Sequence, residues 1–318
     1  MKLVLTIQVY NGGDYWRRCW ESVKANLDLF DHVFISISKS PVQASDIGLV
    51  RESRSDKVHL LVHECGMTAV EHGRRFDEWV ASFDPEGFIF SLCHDDILFR
   101  EGLLELHRLP LCENDAVFGS WKFFRDGRED RTVTERAFRR PDGTPISGAF
   151  LSFMQYQQMF LFNVSGIVIP ASLFRARWFP WQQMIRGGHA EPCRVCSPMI
   201  GRIFQLQSPA VGIRLRSESE GALLEHFQNQ FDTILYLSLA FAVHKDHWLR
   251  LFAARSVGNA ISSCGFRGII AFLRVQFRLA PLPGIYPSLL KIYGYFFLVV
   301  VDKVRYWFFR SGEGGIGK

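Results

Sequence analysis

The chain has 318 residues, 48% of them hydrophobic, and a formal net charge of +5, so it can bury a full core without disulfide staples. Its seven cysteines are an odd number scattered along the chain, so we do not expect a disulfide scaffold. No charged segment with an apolar run precedes the first strand-like stretch, so we expect a reduced, cytoplasmic protein.

The positive charge is concentrated at the C-terminal end. Residues 250–318 hold ten Lys/Arg residues and only two acidic ones, Asp302 and Glu313, a net charge of +8, which leaves the rest of the chain at −3. This split is typical of a near-neutral catalytic or binding body with a cationic tail. The apolar residues around these charges favour lipid headgroups over nucleic acid as the partner.

Apolar runs alternate with helical patterns through the first 120 residues. Such alternation predicts an α/β fold, with a mostly parallel sheet flanked by helices and ligands at the carboxyl ends of the strands. The predicted strands are Leu3–Val9, His32–Ser38, Val58–Val62, Gly87–Leu92 and Ala116–Gly119, and the predicted helices lie near Tyr15–Leu29 and Ala69–Phe83.

The middle of the chain has weaker signals. Residues 125–147 are charged and rich in turn residues, which predicts a surface loop or hairpin that serves as a lid. Short strands are predicted at Ile167–Ile169 and Val211–Leu215, and Leu223–His244 has helical periodicity.

The C-terminal part has the pattern of a basic amphipathic helix followed by an apolar run. The apolar run, Ile292–Val301, is too short to span a bilayer, which takes about 20 residues. We therefore expect attachment to a membrane surface, with buried helices packing on the main domain as the alternative. The predicted organisation is a catalytic domain over residues 1–220 and a helical, membrane-associating extension over residues 221–318.

The turn after the first predicted strand carries Tyr10, Asn11, Gly12 and Gly13 and leads into a helix. Glycines at such a turn let the backbone approach a ligand, and the N-terminus of a helix favours an anion. The alternative is an ordinary turn in which Asp14 caps the helix.

His94, Asp95 and Asp96 follow the predicted strand Gly87–Leu92. Adjacent carboxylates at the end of a strand favour a cation, and Mg²⁺ or Mn²⁺ with a diphosphate is the natural occupant of such an oxygen-ligand site. In the alternative, Asp96 caps a helical segment over residues 97–107.

Together these segments resemble family 2 glycosyltransferases of the GT-A fold. Residues 5–15 (LTIQVYNGGDY) are similar to the opening of that family, and residues 88–98 (FIFSLCHDDIL) to its D-x-D segment in a His-Asp-Asp variant. Weaker similarities lie at residues 165–170 (SGIVIP), 188–191 (GHAE) and 212–216 (GIRLR).

The resemblance implies transfer of a sugar from a nucleotide-diphosphate donor to an acceptor hydroxyl, assisted by a divalent metal and inverting at the sugar carbon. Glu191 would be the general base, and the acceptor would be a lipid-linked or surface glycan, as in polysaccharide biosynthesis. Asp95 and Asp96 would hold the metal. The expected substrate-binding residues are Tyr10, Asn11, Gly12, Ser38, Arg75, His94 and Asp95.

Three positions differ from the family pattern. Residues 36–40 (SISKS) lack the aspartates that bind the nucleoside, Cys93 stands at the first acidic position of the D-x-D segment, and Pro192 follows Glu191. Serine hydroxyls can still bond a ribose. Arg75 either clamps the diphosphate or lies on a solvated helix face. These departures keep a second hypothesis open, a catalytically degenerate nucleotide-binding or scaffold subunit at the membrane.

Residues 189–196 (HAEPCRVC) superficially resemble the H-x-E and P-C-x-x-C signature of zinc deaminases. Here the two halves abut, and Pro192 interrupts any helix, so one turn cannot place His189, Cys193 and Cys196 around a zinc ion. Buried cysteines are the preferred interpretation, with a structural zinc or redox pair as the alternative.

Overall fold

The computed structural model describes residues 1–53, 55–125, 150–152, 165–175, 200 and 202–215. All of them belong to the first of two compact units into which the chain divides, Met1–Trp181 with Arg186–Ala222. The second unit, Gln182–Ile185 with Leu223–Lys318, lies outside the described residues, as do Glu191 and nearly all of the predicted lid. Within the described ranges, no helix is long and apolar enough to cross a bilayer.

The elements predicted for the first 120 residues are confirmed, but the first helix ends earlier than predicted, at Lys24, and the strand predicted at Ala116–Gly119 extends to Arg125. The strands are β1 (Leu3–Val9), β2 (His32–Ile37), β3 (Val58–Val62), β4 (Phe88–Cys93), β5 (Ile97–Leu98), β6 (Asp115–Arg125), β7 (Phe150–Ser152), β8 (Ile167–Pro170) and β9 (Arg202–Leu215). The helices are α1 (Gly13–Lys24), α2 (Gln43–Arg51), α3 (Ala69–Ser82), α4 (Arg100–Arg108) and α5 (Ser172–Arg175), with a 3₁₀ turn at Leu27–Leu29.

The nine strands of the described residues form one mixed sheet in the order β3-β2-β1-β4-β8-β6-β9-β5, with β7 paired to β9. Strands β3, β2, β1 and β4 are parallel, and so are β6 and β9. Strand β8 runs antiparallel to both β4 and β6, and β5 and β7 run antiparallel to β9. The prediction of a mostly parallel sheet is therefore wrong, because four of these eight strand pairs are antiparallel. Strand β8, which enters between β4 and β6, separates the two parallel parts.

The core lies on both faces of the parallel strands. Strand β1 is buried along nearly its whole length, as expected of a central strand covered on two sides. Helix α1 buries Trp16, Cys19, Trp20 and Val23, whose spacing of three and four residues makes one apolar face. This packing fixes the first turn of α1 against the carboxyl end of β1.

Helix α2 was not predicted, and helix α4 overlaps the segment 97–107 that was offered only as a helix capped by Asp96. Helix α2 buries only Asp46 and Val50, so it lacks the apolar stripe that predicts a helix. Helix α4 packs against β9 so closely that a Cβ atom at Gly102 would lie 2.5 Å from the backbone of Ala210. Helix α4 contacts the segment just before β2, through Arg100 with Asp28 and His107 with Leu29 O.

Candidate active site

The loop after β1 opens the site at the carboxyl edge. Tyr10 is 57% exposed, and Asn11 and Gly13 both have φ of 52°. This left-handed conformation suits glycine and, among other residues, asparagine. The N-cap residue of α1 is Gly12, without a side-chain cap, and Asp14 lies in the first turn. The cap predicted for Asp14 is therefore wrong.

A buried carboxylate of this chain occupies the N-terminus of α1. Asp46 accepts hydrogen bonds from the N–H groups of Gly12, at 3.2 Å, and Gly13, at 3.0 Å. Burial raises the pKa of Asp46, and these two N–H donors and the charge of His94 oppose the rise. A Cβ atom at Gly12 would lie 2.4 Å from Cβ of Trp16, so packing requires this glycine. Its role in substrate binding stays a prediction.

Three buried polar side chains, which we term the serine–histidine cluster, lie near the carboxyl ends of β2 and β3. Ser36 Oγ is 2.9 Å from Nε2 of His63 and 2.7 Å from Nε2 of His72. The hydroxyl can donate to one ring and accept from the other, so the ring that accepts its proton must be neutral. Burial, and then the charge of His63, lower the pKa of His72 to about 4.

The second histidine of this cluster connects it to the predicted diphosphate clamp. Burial and the nearby charge of Arg75 lower the pKa of His63, whereas Glu71 raises it. Arg75 pairs with Glu71 at 2.7 Å, one turn away on α3. Arg75 therefore lies near the carboxyl edge but has a partner on its own helix, and its role as a clamp stays a prediction.

Ser38 follows β2 and is only 1% exposed. Its backbone N–H donates to Val9 O at 3.0 Å, which joins the ends of β1 and β2. Its hydroxyl has no hydrogen-bond partner among the described residues, and neither has that of Ser40. Buried hydroxyls are normally bonded, and each unmade bond costs about 1–3 kcal/mol. These two hydroxyls could therefore bond a ligand or an ordered water.

The end of β4 gathers three candidate metal ligands, which we term the Cys93–Asp95–Asp96 group. Their thiol and carboxylate atoms all lie within 4.8 Å of one another. Cys93 and Asp95 are half-buried, and Asp96 is 4% exposed. Three such donors at a strand end fit a divalent cation, because carboxylate oxygens suit Mg²⁺ and Mn²⁺ and thiolate suits softer ions.

Asp96 also connects three strands. Its carboxylate accepts hydrogen bonds from the hydroxyl of Ser165, just before β8, and from the N–H of Arg214 in β9, at 2.9 Å. Helix α4 begins at Arg100, and its N-cap, Phe99, has no side-chain cap bond. The alternative in which Asp96 caps a helix over residues 97–107 is therefore wrong.

The surrounding side chains hold this arrangement in place. Ser165 Oγ accepts the N–H of Cys93 at 2.8 Å, and Ser165 O accepts the indole N–H of Trp121 at 2.9 Å. The guanidinium of Arg214 lies 3.5 Å from the ring centre of Tyr15, at a cation–π distance. Strand β9 is thus tied to both the Cys93–Asp95–Asp96 group and the first turn of α1.

The structure brings most of the predicted site residues to one edge of the sheet. Tyr10, Asn11 and Gly12 follow β1, Ser38 follows β2, and His94, Asp95 and Asp96 follow β4. Half-buried His94 acts electrostatically on Asp46 and His72, which connects the ends of β1, β2 and β4.

Sequence reasoning missed Asp46, His63 and His72. His63 directly follows β3, so the rule that ligands meet the carboxyl ends of parallel strands could have found it. Asp46 and His72 lie in helices, and no sequence pattern marks their contacts.

No protein-family model matches the sequence, and a comparison with curated proteins finds no match. Solved structures of glycosyltransferase-like shape do match. The crystal structure of residues 1–349 of S. aureus TarS has a TM-score of 0.53 at 13% identity, over 96% of this chain and 92% of that chain. The same fragment with UDP-GlcNAc has a TM-score of 0.53 at 11% identity.

A second protein with this shape is GalNAc-T7, solved with UDP, GalNAc and Mn²⁺. It has a TM-score of 0.53 at 12% identity, over 88% of this chain and 56% of that chain. The chain spans about half, 54%, of a longer TarS structure. This chain therefore has the mixed α/β fold of GT-A-like glycosyltransferases.

Proposed function

We propose that this protein is a glycosyltransferase that moves a sugar from a nucleotide-diphosphate donor to an acceptor hydroxyl, with a divalent metal, Mg²⁺ or Mn²⁺. The observation that carries the proposal is the Cys93–Asp95–Asp96 group at the end of β4. It lies in a fold shared with TarS, solved with UDP-GlcNAc, and with GalNAc-T7, solved with UDP and Mn²⁺.

The ends of β1 and β2 supply the proposed nucleoside site. Tyr10 presents an exposed ring, and Asn11 lies beside it in a left-handed turn. The hydroxyl of Ser38 is buried without a partner among the described residues. A ribose or base that bonds this hydroxyl removes the cost of an orphaned polar group, so binding energy is gained without breaking an existing contact.

The end of β4 supplies the proposed diphosphate site. Asp95 and Asp96 would hold the metal, with His94 and Arg75 placed to orient the phosphates. A bound divalent metal supplies charge neutralisation for the departing diphosphate. Asp46 already accepts the N–H groups of Gly12 and Gly13, so these amides are not available to the phosphates. Most of the diphosphate charge would then fall to the cation held by the Cys93–Asp95–Asp96 group, so we expect a strong dependence on the metal.

We infer inversion at the sugar carbon, with Glu191 taking the proton of the acceptor hydroxyl. Glu191 lies outside the described residues, so this role rests on the resemblance of residues 188–191 to the base motif of family 2. Glu191→Gln should abolish transfer to an acceptor while donor binding persists. Loss of donor binding together with transfer would show that Glu191 supports the fold instead.

We also propose that the chain acts at the cytoplasmic face of a membrane, on a lipid-linked or surface glycan. The support is the net charge of +8 over residues 250–318 and the apolar run Ile292–Val301. Flotation with liposomes that contain anionic lipid should be strong for the full chain and weak for a chain ending near Ser256. Equal flotation of the two would contradict membrane attachment by this segment.

The direct test of the activity is release of nucleotide from a panel of UDP and GDP sugars, with and without Mn²⁺ and with EDTA. We expect release from one donor class, dependent on the metal and increased by an acceptor glycan. Absence of release from every donor, with or without acceptor, would contradict a transferase.

One observation favours a second function, a nucleotide-binding or scaffold subunit without turnover. Ser36, at the strand end where an acid binds the nucleoside in family 2, is bonded to His63 and His72 and is not free for a ligand. Measured affinity for a nucleoside diphosphate without turnover on a broad acceptor panel would support this function over catalysis.

A further inference from the structure

The sulfur in the Cys93–Asp95–Asp96 group has chemistry that the oxygen ligands lack. The thiol of Cys93 lies within 4.8 Å of ligand atoms of both aspartates. Metal-bound thiols are deprotonated, and thiolates select softer ions than carboxylates do. A role for this sulfur in metal binding rests on the proposed function, because that function requires the metal.

The backbone of Cys93 is held at both its polar groups. Its N–H donates to Ser165 Oγ at 2.8 Å. Its carbonyl accepts the N–H of Asp96 at 3.1 Å and the thiol of Cys19 at 3.7 Å. The backbone of the last residue of β4 is therefore held beside Asp96.

The separations in this group are close to those of ligands that share one ion. Ligand atoms at about 2.0–2.3 Å from a metal can be no more than about 4.5 Å apart. The three atoms of the group, all within 4.8 Å of one another, need only a small closure to surround one cation.

Asp96 has less to offer a metal than its neighbours do. Its two oxygens already accept hydrogen bonds from Ser165 and Arg214, so only its remaining lone pairs can bind an ion. Sulfur then makes up a large part of the ligand set.

The neighbouring cysteine, Cys19, offers a contrast in exposure. Cys19 is fully buried, whereas Cys93 is half-buried. Cys93 is therefore the cysteine of this pair that an ion from solvent can reach.

We propose that Cys93 Sγ is a direct ligand of the divalent cation, beside Asp95 and Asp96, and that it shifts metal preference from Mg²⁺ toward thiophilic ions such as Co²⁺ and Zn²⁺. Sites with nitrogen, oxygen or sulfur ligands generally bind Co²⁺ and Zn²⁺ more tightly than Mn²⁺, so the affinities of the unaltered protein do not test the proposal. The test is how the relative affinities for these metals change when Cys93 is replaced.

The test is the electronic spectrum of the full chain titrated with Co²⁺, alone and with UDP. We expect a near-ultraviolet sulfur-to-cobalt charge-transfer band that saturates at one ion per chain and disappears in Cys93→Ser. Two controls should keep it: Cys65→Ser, which removes an exposed cysteine, and the double variant Cys193→Ser/Cys196→Ser, which removes the C-x-x-C pair. Cys93→Asp should lose the band yet raise Mg²⁺ affinity relative to Co²⁺ by about tenfold or more.

Absence of the band, or a band that depends on Cys193 and Cys196 but not on Cys93, overturns the proposal. UDP binding, measured by calorimetry with Mn²⁺, separates this failure from failure of the proposed function. Metal-dependent UDP binding without a sulfur band contradicts only the ligand role of Cys93. A Cys93-dependent band without binding of UDP or GDP supports that role and contradicts the proposed function.

Discussion

The carboxyl ends of β2 and β3 differ sharply from the end of β4, although all three strands end at one edge of the sheet. At the first place, Ser36, His63 and His72 are neutral and satisfy one another. At the second, Asp95 and Asp96 lie beside a thiol, within 4.8 Å. The first arrangement is complete within the chain, whereas the second gathers negative charge that is costly without a cation. We therefore expect catalytic activity to depend on the Cys93–Asp95–Asp96 group, and the pH dependence of folding stability to depend on the serine–histidine cluster.

The largest expected effect is a loss of activity when the end of β4 is altered. Asp95→Asn removes a metal ligand while keeping shape, and loss of several kcal/mol of charge stabilisation corresponds to a fall in turnover of about 100-fold or more. The check is nucleotide release with Mn²⁺. The matched control is Asp14→Asn, since Asp14 is 88% exposed and pairs only loosely with Arg17. Unchanged turnover in Asp95→Asn would show that the Cys93–Asp95–Asp96 group is not the metal site.

The next effect tests the serine–histidine cluster by pH. The pKa of His72 falls from an ordinary 6.5 to about 4 in the folded chain, so between these values the unfolded chain binds more protons. The free energy of unfolding should therefore drop as pH falls from about 6.5 to 4, by roughly 3 kcal/mol in total.

Urea unfolding across this range measures that loss. His72→Gln, which keeps a polar group at the ring position, should flatten the dependence. His107→Gln, a histidine bonded to Leu29 O outside the cluster, should keep it. A dependence that is unchanged in His72→Gln would assign the pH effect to other groups.

A third prediction contrasts the two adjacent aspartates. Asp96→Ala leaves the hydroxyl of Ser165 and the N–H of Arg214 without their acceptor, so we expect a loss of about 1–3 kcal/mol in the free energy of unfolding. Asp95→Ala should cost clearly less, because Asp95 is half-buried whereas Asp96 is 4% exposed. Equal losses for the two variants, measured by urea unfolding, would show that Asp96 does not hold β8 and β9 to the end of β4.

The smallest effect concerns Ser38. Ser38→Ala removes a buried hydroxyl that has no partner among the described residues, so the free protein should be equally or more stable. Nucleotide affinity should weaken by about three- to tenfold, the worth of one hydrogen bond. Calorimetry with UDP or GDP and Mn²⁺ checks this, with Ser82→Ala at the exposed end of α3 as control. Unchanged affinity would place the nucleoside elsewhere.

The predictable parts of the molecule were those with local patterns. Apolar runs identified β1 to β4, and the residue types after β1 and β4 identified Tyr10, Asn11, His94 and Asp95 as candidates. The strand order in the second half of the sheet was not predictable, because β8 enters the sheet between β4 and β6 and no local pattern determines strand order.

Contacts between distant residues were not predictable either. Asp46 reaches the loop after β1 across 33 and 34 residues, and Ser36 meets His72 across 36 residues. Helix α2, which carries Asp46, buries only two residues and so gives a weak periodic signal. The sequence likewise does not show that Asp96, a candidate metal ligand, also accepts hydrogen bonds from Ser165 and Arg214.

The most direct test of the central claim is thermal unfolding of the full chain with UDP, GDP and their sugars, each with and without Mn²⁺. The account predicts that one nucleoside diphosphate raises the midpoint only with the metal, and that Asp95→Asn removes this shift while Asp14→Asn keeps it. A nucleotide shift of the same size without metal, or in Asp95→Asn, would contradict a metal-dependent donor site at the end of β4.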